Sequence, residues 1–120
     1  MADYKLTQIG QDIDGENLFD YSGNEDTSEV GSLSISADGS IVAIGARGND
    51  GNNGENSGHV RIYQNNSGTW QQIGSDIDGE TSRDGSGVVS ISDDGTIVAI
   101  GAYGNDGNGE DSGHVRIYQN

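Results

Sequence analysis

The feature that most constrains this chain is a long internal repeat. Residues 86–118, SGVVSISDDGTIVAIGAYGNDGNGEDSGHVRIY, restate residues 30–63, VGSLSISADGSIVAIGARGNDGNNGENSGHVRIY. The match includes the apolar runs, the turn residues and the closing tyrosine, so a whole structural unit is duplicated. A unit of this length that recurs along one chain buries its apolar surface against its neighbours. The sequence therefore predicts stacked copies of one small supersecondary unit.

A second pair of matching segments extends the repeat toward the N-terminus. Residues 4–11, YKLTQIGQ, align with residues 68–75, GTWQQIGS, and each segment leads into the pentapeptide DIDGE. Both segments have the pattern of a polar strand with one apolar anchor. After DIDGE the first copy carries extra residues, and we place this insertion within residues 17–29. We divide the chain into one repeat at residues 1–66 and a second at residues 67–120.

The composition indicates a small hydrophobic core and restricts the kinds of partner that the chain can bind. Only 30% of the residues are hydrophobic, and the net charge is −15, with 20 acidic and 5 basic residues. Coulomb repulsion from so acidic a surface disfavours nucleic acids and anionic membranes and favours cations or basic partners. High charge with few aromatic residues is also typical of disordered chains. Here the acidic residues fall in turns between short Ile, Val and Ala runs, which favours folded β structure.

The sequence shows no signal for disulfide bonding, secretion or membrane insertion. The chain has no cysteine, so a disulfide framework is excluded. Cysteine content therefore does not indicate whether the protein works in an oxidising or a reducing compartment. The start, MADYKLTQIGQDIDG, lacks a basic region followed by an apolar run, so we expect no secretory signal. No apolar run approaches the roughly 18–20 residues that a membrane-spanning helix needs. We therefore expect no membrane insertion.

Each copy contains two short apolar segments joined by a tight turn. Asp-Gly between β-branched runs is a strong hairpin signal, because glycine adopts the positive φ that such turns require. The second segment, IVAIGA, has apolar or small residues at both its odd and its even positions, so both faces of the strand are predicted to be covered. The predicted hairpins join residues 32–36 to 40–46 through the turn 37–39, and residues 88–92 to 96–102 through the turn 93–95.

A third strand follows a loop rich in Gly, Asn and Asp. The segment HVRIYQ, at residues 59–64 and 114–119, alternates Val and Ile with His, Arg and Tyr, so we expect it to be half exposed. With the polar segment as a fourth strand, polarity grows outward across each unit. That gradient is typical of a propeller blade, whose inner strands lie between neighbouring blades. We predict an all-β fold of two four-stranded antiparallel propeller blades.

The unit resembles the FG-GAP repeat, the blade of integrin-α-type β-propellers. Gly-Ala at residues 45–46 and 101–102 matches the family's Gly-Ala-Pro, and GHVRIY at residues 58–63 and 113–118 matches its Gly-x-Val-Tyr-x-Tyr strand. The resemblance implies loops presented from one face for surface adhesion or for protein or carbohydrate recognition. It also implies bound calcium and an extracellular or cell-surface location. The departures are Val30 and Ser86 at the family's Phe, and Arg47 and Tyr103 at its Pro.

The order of the strands predicts an assembly. If the strands of a unit are named A to D from the hairpin outward, the chain follows the order D-A-B-C-D-A-B-C. Two blades do not close a ring, because propellers usually have about four to eight. We therefore expect residues 4–11 of one chain to complete the sheet that ends at residues 114–120 of another. The product is a head-to-tail homo-oligomer, a trimer or a tetramer. The alternative is an excerpt of a longer array or a designed fragment.

Calcium is the cation expected in the acidic loops, because it takes six to eight oxygen ligands from carboxylates, amides and carbonyls. The turns at residues 37–39 and 93–95 are too short to wrap an ion. DIDGE is a better candidate, because it places two carboxylates two residues apart before a glycine. The alternative is that these side chains cap turns through backbone amides. The candidate metal ligands are Asp12, Asp14, Glu16, Asp76, Asp78, Glu80, Asp50 and Asp106, with Glu55, Glu110 and Asp111 in the same loops.

Two aromatic residues in the insertion, Phe19 and Tyr21, are candidates for ligand contact, because loops carry function without disturbing the scaffold. The alternative is that both tuck over the nearest strand ends. His59 and His114 open equivalent strands with no Cys or second His beside them, which favours a structural role.

We interpret the chain as a non-enzymatic binding or structural module. The first alternative is an architectural or engineered repeat with no ligand. The second is a propeller enzyme with its site in the central channel. The innermost strands, SLSIS and VVSIS, offer only Ser, Val, Leu and Ile, which disfavours chemistry there.

Overall fold

The computed structural model describes residues 5–17, 20–23 and 32–120. These residues form antiparallel β-sheets and contain no helix, which confirms the predicted all-β class. Within the same ranges, no helix is long and apolar enough to cross a membrane. The strands are β1 (Leu33–Ile35), β2 (Ile41–Ala46), β3 (His59–Asn66), β4 (Thr69–Gln72), β5 (Ile77–Asp78), β6 (Ser86–Ile91), β7 (Ile97–Ala102) and β8 (His114–Gln119).

Two hairpins form at the predicted Asp-Gly turns, β1 with β2 and β6 with β7. Gly39 and Gly95 both have a φ of 76°, a conformation that glycine adopts without a Cβ clash. The aspartate side chain in each turn accepts hydrogen bonds from the residues on both sides of the turn. In the second hairpin, Asp94 Oδ1 accepts hydrogen bonds from the Thr96 amide at 3.0 Å and the Ser92 hydroxyl at 2.8 Å. Hydrogen bonds from Thr96 and Ser92 lower the pKa of Asp94.

The third strands also form as predicted, in the same register in both copies. Ile44 lies opposite Arg61 in the first sheet, and Ile100 lies opposite Arg116 in the second. The first sheet has the order β1-β2-β3-β4, with β5 also paired to β3, and the second sheet has the order β6-β7-β8. The outer edge of β3 is thus covered by β4 and β5. The outer edge of β8 has no strand partner among the described residues.

The two sheets pack face to face, and the core lies between them. A Cβ on Gly45 would overlap the Gly87 carbonyl oxygen, so the backbones of β2 and β6 approach closely. The Ser34 hydroxyl accepts a hydrogen bond from the Ile91 amide at 3.0 Å across the same interface. Both contacts require stacking without a gap. The buried apolar side chains are Ala43 and Val60 from the first sheet and Val89, Val98 and Ile100 from the second.

Alternation along the strands gives each sheet two faces. We call the face that carries Gly45 in the first sheet and Gly101 in the second the front face, and the opposite face the back face. The front of the first sheet packs on the back of the second. The prediction that the second strand is covered on both faces holds for β2, where residues 43–46 are all buried. It is wrong for β7, where Ile97 on the front face is 41% exposed.

The two polar segments that were predicted to be outer strands differ in structure: one forms a strand and the other does not. Within residues 68–75, β4 pairs with β3 as a fourth strand, as predicted. Residues 4–11 were predicted to be the equivalent strand, but residues 5–11 form none. They lie instead beside Trp70, whose indole nitrogen donates to the Ile9 carbonyl at 2.9 Å. Within the second DIDGE segment, Ile77–Asp78 forms a further short strand, β5, against β3.

The repeat extends further than the sequence match indicated. Tyr21 has a φ of 56°, and Gly85, 64 positions later, has a φ of 62°. Asp20 and Asp84 stand at the same offset and make matching hydrogen bonds with asparagine side chains. The offset that relates the two DIDGE segments therefore holds as far as Tyr21. This equivalence places the extra residues of the first copy after Tyr21, so that Tyr21 belongs to the matched part.

Candidate functional site

A charged cluster lies where β3 begins, on the back face of the first sheet. The alternation in HVRIY places His59 and Arg61 on this face, opposite the apolar side chains of the core. Pairing of β5 with β3 sets Asp78 beside His59, which brings Asp76 next to Arg61. Glu16, in the first DIDGE segment, reaches the same guanidinium. The cluster therefore joins side chains from both copies.

Arg61 holds the two carboxylates of this cluster. Its Nε and Nη2 donate to the two oxygens of Asp76 at 2.8 and 2.9 Å, and Nη2 lies 2.8 Å from a Glu16 oxygen. Asp76 also accepts from the Gln72 amide at 2.7 Å. The Arg61 hydrogen bonds lower the pKa of Asp76 to about 2, and the same pairing raises the pKa of Arg61. Both side chains are therefore charged at neutral pH.

His59 lies beneath the ion pair and is 4% exposed. Its Nδ1 lies 3.6 Å from Glu16 and 3.7 Å from Asp76. Burial lowers the pKa of His59, and the positive charge of Arg61 lowers it further, outweighing the opposite effect of the three nearby acids. The imidazole is therefore neutral at pH 7.

The cluster contains ligand atoms that suit a metal ion. One atom each of Glu16, His59 and Asp76 lie within 4.8 Å of one another. Arg61 already bonds both carboxylates, however, so a cation in this position has to displace or tolerate the guanidinium. A carboxylate with a pKa near 2 is also a poor general acid at neutral pH. The arrangement therefore favours ion pairing over proton transfer.

An acidic cleft of about 320 Å³ adjoins the cluster. Asp50 and Asp78 supply carboxylates on one side, and Asp20 lies at its base beside Asn49. Oxygen donors of this kind are the ligands that calcium prefers. Of the predicted metal ligands, the structure brings together four around the cleft, namely Glu16, Asp50, Asp76 and Asp78.

The other predicted ligands lie elsewhere. Asp12 is exposed and accepts from the Gln8 side chain at 2.8 Å. Asp14 is exposed and lines a small pocket with Glu16 on the back face of the first sheet. Glu80 lies 3.3 Å from His114 Nδ1 in the second sheet. Asp106 accepts from the Asp111 amide at 2.8 Å, which is the turn capping that the sequence left open as the alternative.

Sequence reasoning missed two buried aspartates. The Asp20 and Asp84 carboxylates each accept from an asparagine side chain at 3.1 Å, from Asn49 and Asn105 respectively. Burial acts to raise the pKa of Asp84, but hydrogen bonds from Thr81 and Asn105 outweigh it and lower the pKa. These pairs tie the loop after β2 or β7 to the segment after DIDGE. The available signal was their common offset of 64 residues, the offset of the DIDGE segments.

Of the two aromatic residues predicted to contact a ligand, Tyr21 lies among the described residues. Tyr21 is half-buried, and the Arg47 guanidinium lies over its ring at 5.9 Å from the centroid. This contact fits the alternative in which the ring packs against its own chain. Phe19 lies outside the described residues.

Comparison with models of known protein families, with curated proteins and with solved structures gave no match.

Proposed function

We propose that this chain is a non-enzymatic structural module whose blades stack head to tail on copies of itself, as in an FG-GAP-type propeller. One observation carries the proposal. The front face of the second sheet repeats the surface that packs inside the chain, and the back face of the first sheet repeats the surface that receives it. Each end of the chain is therefore complementary to the other end of a second copy.

The exposure of equivalent residues supports this complementarity. Val60 is 0% exposed at the interface between the sheets, while its equivalent Val115 is 65% exposed. Val89 is 8% exposed there, while its equivalent Leu33 is 54% exposed. Burying an apolar side chain of this size contributes about 1.5–3 kcal/mol. Stacking of a second copy buries both sets again.

Most of the exposed large apolar side chains belong to these surfaces. Scattered exposed apolar residues are common, but a contiguous set marks an interaction surface. Association through both faces at once therefore buries more apolar surface than association through one. The residues on these faces are Leu33 and Ile35 on the back of the first sheet and Ile97, Val115 and Ile117 on the front of the second. Leu6 and Ile9 are exposed in the N-terminal segment.

A closed ring follows if each addition repeats the rotation between the two sheets. Three copies supply six blades and four supply eight, within the usual range of about four to eight blades. A trimer or a tetramer is therefore the proposed assembly. Its acidic loops gather on one side and form the surface for protein or carbohydrate recognition that the family resemblance implies.

Light scattering on a sizing column tests the proposal. The expected mass is three or four times 12.5 kDa. In the Gly101→Ala variant, the new methyl meets only Val88 at 3.5 Å within the chain. In the stack, however, it would point at the back of the first sheet of the second copy, in the position where a Cβ on Gly45 overlaps the Gly87 carbonyl within the chain. We therefore expect a folded monomer for this variant.

Thr69→Ala is the control, because Thr69 is exposed on β4, which is already paired with β3 within the chain and lies on neither of the free faces. It should retain the wild-type mass. A monomeric wild-type chain, or a Gly101→Ala variant with the wild-type mass, would refute stacking through these faces.

Calcium binding in the acidic cleft is a second candidate function. It is supported by the four predicted ligands that converge there, with the Asn49 and Asn52 side chains nearby. Thermal unfolding in calcium, magnesium and EDTA tests it. Calcium should raise the melting temperature, and Asp50→Asn should reduce the increase. An equal melting temperature in all three buffers would contradict the proposal.

A further inference from the structure

Arg116 is the equivalent of Arg61 in the second sheet, but its surroundings are incomplete. Arg61 donates through Nε to Asp76 at 2.8 Å. Arg116 Nε is buried and has no hydrogen-bond partner among the described residues. The Arg116 Nη2 donates to the Asp78 carbonyl at 2.8 Å, so the side chain is held in place. Leaving a buried donor unpaired is unfavourable, which points to an acceptor that arrives from outside the chain.

An open groove surrounds Arg116. It has a volume of about 540 Å³ and lies between the two sheets along the unpaired outer edge of β8. Its lining combines apolar side chains, among them Ile62, Ile73, Val98 and Tyr118, with polar groups. At the equivalent edge of β3, the strands β4 and β5 are in place. The groove therefore fits one extended, partly apolar segment that carries an acid.

Residues 5–16 have the required sequence. They are the repeat copy of residues 69–80, so that Asp12 corresponds to Asp76 and Leu6 to Trp70. Leu6 is 84% exposed and Ile9 is 60% exposed, and residues 5–9 are exposed throughout. Gln11 donates to the Trp70 carbonyl at 2.8 Å and the Ile9 carbonyl accepts from the Trp70 indole at 2.9 Å, so docking of the segment elsewhere has to release these two contacts. It has the side chains of an outer strand but no sheet to join.

The segment of the same chain is on the wrong side to fill the groove. Glu16 contacts Arg61 on the back face of the first sheet, whereas the second sheet packs on the front face. The first sheet therefore separates residues 5–16 from Arg116. A second copy stacked on the front face of the second sheet brings its own residues 5–16 to the edge of β8.

We propose that residues 5–14 of a second copy of this chain dock along β8, with the Asp12 carboxylate accepting from Arg116 Nε. This inference rests on the proposed stacking and adds the residues that determine its register. The pairing within the first sheet fixes the alignment, because Gln64 lies opposite Gln71 and Val60 opposite Ile77. Gln119 then lies opposite Thr7 of the second copy, and Val115 lies opposite its Ile13.

Disulfide trapping tests the register, since the chain has no cysteine of its own. The Thr7→Cys, Gln119→Cys variant should form intermolecular disulfides, seen as a ladder at multiples of 12.5 kDa on a non-reducing gel. Both positions are exposed, so the fold should persist. The Gln64→Cys, Gln71→Cys variant is the positive control, because the same pair meets within one chain. The Thr7→Cys, Val115→Cys variant is out of register and should not form a ladder.

Asp12→Asn tests the ion pair. A hydrogen bond to a charged group contributes enough that its loss should weaken association by about ten- to a hundredfold. Glu55→Gln, at an exposed acid that does not line the acidic cleft, is the control for a lost surface charge and should leave the mass profile unchanged.

The outcomes separate this inference from the proposed function. An assembled wild type with no ladder and no effect of Asp12→Asn would overturn the docking of residues 5–14 and leave stacking intact. A ladder without an effect of Asp12→Asn would overturn the ion pair alone. A wild type that stays monomeric would overturn both stacking and docking.

Discussion

Among single residues, the Arg61 ion pair makes the clearest prediction. Asp76 has a pKa of about 2 against an ordinary value of 3.8. Because the folded value is the lower one, the stability gained is present above about pH 4 and is lost as the pH falls through 2. Asp76→Asn should therefore lower the free energy of unfolding by about 1 kcal/mol at pH 7, after allowance for solvent screening.

Urea unfolding of the wild type and Asp76→Asn from pH 7 to pH 2 checks this prediction. The difference between the two proteins should shrink below pH 4, as the wild-type carboxylate takes up its proton. Asp14→Asn, at an exposed acid outside the Arg61 pair, should have little effect on stability at pH 7. A constant difference across the whole range would show that the amide acts through packing and not through charge.

His59 predicts a second pH dependence, at higher pH. Its folded pKa is lowered below 6.5, mainly by burial and by Arg61. The unfolded chain therefore takes up a proton first, so this contribution to stability is complete above pH 6.5 and is lost as the pH falls below it. His59→Gln should flatten the decline in unfolding free energy between pH 7.5 and pH 5.5. His114→Gln, at a side chain that is 25% exposed and not 5%, is the matched control.

At the level of strands, the sequence predicted what is encoded locally. The Asp-Gly turns and the β-branched runs beside them placed β1, β2, β6 and β7, and the alternation in HVRIY placed β3 and β8. The cluster of His59, Arg61 and Asp76 was not predicted, because β5 joins β3 across a separation that leaves no local pattern. Residues 5–11 show the converse case. Their local pattern is that of a strand, but a strand also needs an edge to pair with.

The close approach of β2 and β6 predicts a large loss of stability when Gly45 is replaced by a residue with a Cβ. Gly45→Ala should force the sheets apart, because the new methyl overlaps the Gly87 carbonyl oxygen and the backbone cannot yield as a side chain can. We expect a loss of at least about 2–3 kcal/mol, comparable to overpacking in a core. Gly101→Ala is the matched substitution on the exposed front face, and its new methyl makes only ordinary contact at 3.5 Å.

Denaturant unfolding at low protein concentration, where each chain is alone, measures both variants. Gly101→Ala should be neutral or slightly stabilising, since alanine restricts the unfolded chain more than glycine does. Equal losses for the two variants would show that close packing of the sheets does not cause the effect at Gly45.

For the whole molecule, the charge opposes the assembly that the apolar faces favour. Each chain carries a net charge of −15, so copies repel one another at distances comparable to the Debye length. This length falls from about 30 Å at 0.01 M salt to about 10 Å at 0.1 M and about 3 Å at 1 M. Apolar burial between stacked sheets changes little over that range. Raising sodium chloride should therefore promote association, in contrast to complexes held by opposite charges.

Sedimentation velocity at a fixed chain concentration, from about 0.02 M to about 0.5 M sodium chloride, follows this change. The wild type should shift toward the larger species as salt rises, while Gly101→Ala should remain monomeric throughout. If salt instead dissociates the assembly, ion pairs such as the one proposed between Asp12 and Arg116 contribute more than the apolar faces. The copies would then be held mainly at the edge of β8, and the exposed front face would contribute little.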